Sequence, residues 1–81
     1  MPVATPRTLC QLEPGHSSVV EAFTGPPEVG HRLMEIGILV GCEISAIRRA
    51  PFGYPVEVDV CGARFCLGKE TAEAIILAPN E

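Results

Sequence analysis

Along this chain the spacing of hydrophobic positions switches between two residues and about 3.6, and each switch marks an element. Val29, Leu33 and Ile36 fall at i, i+4 and i+7, which predicts a helix from Val29 to Ile36 with those three side chains on its buried face. Arg32 and Glu35 fall on the other face. Pro27 suits the first turn, where its missing N–H would have no partner anyway. Glu28 places negative charge near the helix N-terminus. Gly37 predicts a left-handed stop, and the apolar run Ile38, Leu39, Val40 is closed by Gly41. A helix of two turns is unstable alone in water. It is therefore predicted to lie on strands that come before and after it.

Those strands follow from the rest of the pattern. Ser17-Ser18-Val19-Val20-Glu21-Ala22-Phe23 is rich in β-branched residues and predicts the first long strand. Cys42 to Arg48 alternates, with Ile44, Ala46 and Arg48 expected on one face and Glu43, Ser45 and Ile47 on the other. Val56, Val58 and Val60 alternate with Glu57 and Asp59, the clearest strand signal in the chain. Cys61-Gly62 predicts a two-residue type I′ turn. Arg64 to Leu67 then returns, with Phe65 and Leu67 joining the valine face and Arg64 opposite Asp59. A short helix over Lys69 to Ala74 and a last strand Ile75-Ile76-Leu77 complete the order. The five side chains Val56, Val58, Val60, Phe65 and Leu67 are expected to share one core with Leu33 and Ile36. Thr8 to Leu12 is a short apolar segment before the turn signal Glu13-Pro14-Gly15. Arg49 to Pro55 holds two prolines and a glycine and predicts a loop.

So many short strands in so few residues predict a mainly β fold, a small closed barrel with one inserted helix and a second short helix, because closure removes exposed edges. The 81 residues form one domain. Residues 8–78 carry it, residues 1–7 are expected as a flexible tail, and 79–81 end the chain.

Composition narrows the function classes. A net charge of −4 and only four aromatic residues, Phe23, Phe52, Tyr54 and Phe65, argue against a nucleic-acid surface. No apolar run approaches the roughly 20 residues of a membrane span. The N-terminal Met-Pro-Val-Ala-Thr-Pro-Arg lacks the apolar stretch of a secretory signal, so a cytoplasmic location is expected. Cys10, Cys42, Cys61 and Cys66 include no Cys-x-x-Cys pair and match no common zinc spacing. They are expected to act as small, partly buried residues. His16 and His31 are isolated, and no serine sits on a nucleophile elbow. Glu57 and Asp59 share a solvated strand face, where edge protection accounts for them. No catalytic residue, cofactor or metal site is expected.

Four ordered motifs resemble a known family. Arg32-Leu33-Met34-Glu35-Ile36-Gly37 followed by Val40-Gly41-Cys42-Glu43-Ile44 is similar to its Arg-Leu-x-Glu-x-Gly-x-x-x-Gly-x-x-Ile pattern. Ala50 to Val58 resembles its Ala-Pro-Leu-Gly-Asp-Pro-Val-x-Val loop. Gly62 with Phe65-Cys66-Leu67 resembles its return strand, and Glu70 with Ala72 its following helix. The family is FeoA, of ferrous iron transport, and the resemblance spans about residues 8–78. It implies an SH3-like barrel with a helix inserted after the first long strand. It also implies a cytoplasmic, non-enzymatic accessory that contacts the cytoplasmic G-protein part of a membrane ferrous iron transporter. Tyr54 stands where the family often has Asp, and Gly68 where an Arg is frequent. Two alternatives stay open. One is a small metal-binding protein using Cys and His. The other is a relative of the SH3-like domain of iron-dependent repressors, normally fused to a helix-turn-helix region for which this chain has no room. With one helix face buried, His31, Arg32, Met34 and Glu35 are expected on a partner interface, together with Phe52 and Tyr54 of the proline-bracketed loop. For Phe52, plugging one end of the barrel is the competing expectation.

Overall fold

Over residues 7–79, the part of the chain that the computed structural model describes, the hydrophobic pattern is realised as six strands and two α-helices. The tail expected at 1–7 lies, apart from Arg7, outside the described residues, as do Asn80 and Glu81. In chain order the elements are β1 (Arg7–Thr8), a 3₁₀ turn (Leu9–Gln11), β2 (Ser17–Phe23), α1 (Pro27–Ile36), β3 (Glu43–Arg49), β4 (Val56–Val60), β5 (Ala63–Leu67), α2 (Lys69–Glu73) and β6 (Ile75–Leu77).

The strands form one antiparallel sheet in the order β1-β6-β2-β3-β4-β5. β2 is the pivot. Its first half, Ser17 to Val19, pairs with β3, and its second half pairs with β6. The register shift between Val20 and Ala22 bends the strand from one partner to the other. The β4–β5 hairpin follows the alternating pattern, with Val58 opposite Phe65 and Asp59 opposite Arg64. Cys61 (φ 53°) and Gly62 (φ 86°) both take the left-handed backbone that a type I′ turn requires. The Gly62 N–H donates to Asp59 Oδ1 at 3.1 Å, which steadies the turn.

The barrel is curled but not closed. Among the described residues no pairing joins β5 to β1. Among the described residues β1 comprises Arg7 and Thr8, after which the chain tightens into the 3₁₀ turn. That turn seals the core instead, with Leu9 and Leu12 fully buried. Every residue of the core among those described is hydrophobic: Val20, Leu33, Ile38, Ile44, Val56, Val58, Ile75 and Leu77 lead it, and Phe65 packs partly buried against it.

α1 departs from the expected helix in its buried face. Leu33 is buried and Val29 half-buried, but Ile36 is 43% exposed. The residue that replaces it is Gly30, which is buried against the ring and Cβ of Phe23. At about 100° per residue the buried arc centres between Gly30 and Leu33, and Ile36 lies about 90° away from that centre. The helix stop is as expected, in full. Gly37 is left-handed (φ 105°), its N–H donates to Met34 O, and the Ile38 N–H donates to Leu33 O at 2.9 Å. This is a Schellman closure, and its hydrophobic partners Leu33 and Ile38 are both buried. Folding Ile38 inward leaves the next two residues of the run, Leu39 and Val40, on the surface.

Candidate contact surface

The positions expected at an interface fall on two separate parts of the surface. On α1, His31, Arg32, Met34 and Glu35 are exposed, because the opposite side of the helix is closed by Gly30 and Leu33. Met34 does not stand alone. Ile36, Leu39 and Val40 continue the apolar surface from the helix into the segment that follows, each between 43% and 58% exposed. Arg32 also looks into a cleft of about 260 Å³ between α1 and the β5–α2 junction, whose other walls include Ile36, Cys66, Leu67 and Glu70.

The loop Ala50–Pro55 carries the other two positions, and the structure separates their roles. Its ends are closed on each other by the Ala50 N–H donating to Pro55 O, and its middle by the Gly53 N–H donating to Ala50 O at 2.8 Å. Phe52 sits at the tip, 97% exposed. It plugs nothing, so the end-plug expectation is overturned: the turn at Ala50–Gly53 lifts the ring away from the core. Tyr54 is half-buried and leans on the Arg49 guanidinium, 5.6 Å from ring centroid to Cζ. A hydrogen bond with the Cys10 thiol, and burial, push the Tyr54 hydroxyl above its ordinary value.

Arg49 is the residue that sequence reasoning missed. Alternation predicts Arg48 on the core side of β3. A register shift between Ala46 and Arg48 reverses the faces, so Arg48 points to solvent and Arg49 turns inward. Its Nη2 donates to Cys10 O at 2.7 Å, Leu12 O at 2.9 Å and Leu9 O at 3.1 Å, and its Nη1 donates to Gly53 O at 3.3 Å. One guanidinium thus satisfies carbonyls left over at the end of the 3₁₀ turn and ties that turn to the loop that presents Phe52. Nothing in the local sequence signals its ties to the 3₁₀ turn, since those carbonyls lie 37 to 40 residues away. On the outer sheet face, Glu57 accepts from Arg48 Nε at 2.7 Å and from Arg64 Nη1 at 3.3 Å. The hydrogen bond from Arg48 is the main reason its carboxyl lies below the usual value. A second cleft, of about 320 Å³, is walled by Arg48, Ala50, Pro51, Pro55 and Cys66. Cys66 borders both clefts, and neither is lined by Phe52 or by Tyr54.

Among the described residues no group of three or more His, Cys, Asp or Glu side chains converges as a metal site. No helix among them is long and apolar enough to cross a membrane. The arrangement offers a rigid, exposed ring at one place and an apolar helix end at another, which is the chemistry of contact.

A family model for the FeoA domain matches residues 7–79. Among solved structures, the FeoA protein of Chlorobium tepidum is 30% identical, with 90% of this chain covering 70% of that one at a TM-score of 0.82. The FeoA of Stenotrophomonas maltophilia, a prokaryotic SH3 domain protein complexed with zinc, is 29% identical over 89% of each chain, TM-score 0.77. A manganese-dependent transcriptional repressor shares the fold at 23% identity and TM-score 0.84, but 98% of this chain spans only 39% of it. No curated protein matches.

Proposed function

This chain belongs to the FeoA family, and from that premise we propose that it is a cytoplasmic accessory of ferrous iron transport. It acts by protein–protein contact with the cytoplasmic G-protein part of the membrane iron transporter, and it performs no catalysis of its own. The observation that carries the contact reading is Phe52. The ring is 97% exposed at the tip of a doubly closed loop, which leaves it free to enter a partner's pocket, where aromatic anchors carry much of the contact energy. Such a loop loses little entropy on binding. In this reading His31, Arg32, Met34 and Glu35 supply a second, separate contact on the helix, next to the exposed apolar side chains of Ile36, Leu39 and Val40. Tyr54 supports the loop from behind. The repressor likeness is one of fold alone.

The test is Fe(II) uptake in a strain that depends on this protein. Wild type restores uptake; Phe52→Ala, folded normally, restores a small fraction of it. Equal restoration by both removes Phe52 from the account, and no effect of deleting the protein removes the transport role.

A further inference from the structure

β5 is the edge strand of an antiparallel sheet that does not close. The two-residue turn makes Val60 and Ala63 a hydrogen-bonded pair, and the unbroken register carries this on to Val58 with Phe65 and Val56 with Leu67. Arg64 and Cys66 fall between those pairs, so their N–H and C=O groups point away from β4. Among the described residues no other backbone group reaches them. No bulge or proline blunts this edge over its five residues. We propose that β5 is a docking edge, which takes up an extended segment of a partner protein, acidic on one side and apolar on the other, as an added antiparallel strand. The occupant need not be the transporter.

The side chains around the edge specify what that segment carries. Successive residues of an added strand face opposite sides of the sheet, and each side has a cleft that reaches Cys66. On the side of α1 lies the cleft of about 260 Å³, walled by Val29, Leu33, Ile36 and Leu67, which suits apolar side chains. On the outer face lies the cleft of about 320 Å³, beside Arg48, Pro51 and Pro55. Arg64 stands on that outer face, its side chain 61% exposed, and its contacts to Glu57 and Asp59 are long, at 3.3 and 3.7 Å. Such loose contacts leave the guanidinium able to meet a further carboxylate across a strand pair.

Charge separates the acidic segment from the other natural occupant, a second copy of this chain. Of the 6 Lys and Arg in a chain of net charge −4, four gather at this edge: Arg64, Lys69, and Arg32 and Arg48 on the cleft walls. Antiparallel pairing of β5 with its own copy brings the two Arg64 side chains onto one face as diagonal neighbours, and like charges there repel. An acidic strand meets the same arginine with opposite charge. Main-chain bonds then supply the hold, and the clefts on the two faces select the side chains.

The experiment follows the isotope-labelled full chain by NMR, with the synthetic peptide acetyl-Thr-Ile-Glu-Val-Glu-Ile-Thr-amide as probe. Paired with β5, its glutamates lie opposite Arg64 and Cys66, and its Ile and Val side chains face α1. In the free chain the Arg64 and Cys66 amides should exchange fast and the Phe65 amide slowly. The peptide should bind saturably and slow exchange at Arg64 and Cys66. Methylating the glutamate nitrogens of the peptide removes the facing donors and should weaken binding about 10-fold or more. Cys66→Pro should do the same, since an edge strand tolerates proline where the N–H points outward; the methylated peptide answers the question without altering the protein. A peptide with lysines in place of the glutamates should bind more weakly. Arg64 and Cys66 amides already protected in the free chain, no saturable binding, unchanged exchange at β5 in the complex, or equal binding of the methylated or the lysine peptide would each overturn the proposal.

Discussion

Removing the donors of Arg49 while keeping its hydrocarbon stem, as Arg49→Met does, should destabilise the domain by about 3 kcal/mol. The figure comes from the geometry. Nη2 has two hydrogens to share among three carbonyls, so it counts as two good bonds, and the 3.3 Å bond from Nη1 adds little. Hydrogen bonds to a charged group contribute about 1.5–3 kcal/mol each, and the low end applies to a half-exposed guanidinium. In a domain of this length a loss of about 3 kcal/mol lowers the Tm by roughly 12–24 °C. Thermal melts followed by circular dichroism measure it. Arg48→Met, at the adjacent and exposed position, is the control, and it should melt close to wild type, because exposed ion pairs contribute little to stability. Amide exchange at residues 9–12 should speed up in Arg49→Met. If the two variants melt within about 4 °C of each other, Arg49 does not hold the 3₁₀ turn and the loop together.

Leu33→Ala should cost about 2–5 kcal/mol, whereas Ile36→Ala should stay within about 1 kcal/mol, because only the first leaves a cavity; comparable denaturation midpoints would restore Ile36 to the core. Glu57 carries a pH dependence. Its folded value is depressed by Arg48, so its contribution is fully present above the usual carboxylate range and is lost as pH falls through the lowered value. The stability difference between wild type and Glu57→Gln should therefore shrink to nothing on acidification, and a difference that grows instead would reverse the assignment.

The parts legible in the sequence are those in which one residue fixes its own geometry. Alternation set β4 and β5, the Cys61–Gly62 pair set their turn, and Gly37 set the end of α1. The parts that were not legible depend on a missing side chain or an extra residue. Gly30 carries no hydrophobicity, so its burial against Phe23 and the consequent exposure of Ile36 leave no trace in the pattern. The shift after Ala46 exchanges Arg48 and Arg49 between faces, and a period of two cannot register it. Leu9–Gln11 coils into a 3₁₀ turn, which a short apolar run does not distinguish from a strand. On the candidate surface, the helix period puts His31, Arg32, Met34 and Glu35 away from buried Leu33, and the prolines mark the loop that carries Phe52 and Tyr54. What separates Phe52 from Tyr54 is Arg49, whose partners come from the far end of the chain.

The central claim is contact with the transporter through an exposed surface, and titration calorimetry of this chain with the transporter's cytoplasmic G-protein domain tests it most directly. Wild type should bind saturably. Phe52→Ala, with a wild-type Tm, should weaken binding at least about 10-fold, a loss of about 1.4 kcal/mol or more at a buried anchor. Saturable binding that is unchanged in Phe52→Ala and in an Arg32→Ala, Met34→Ala variant, or no binding by the wild type at all, would contradict it.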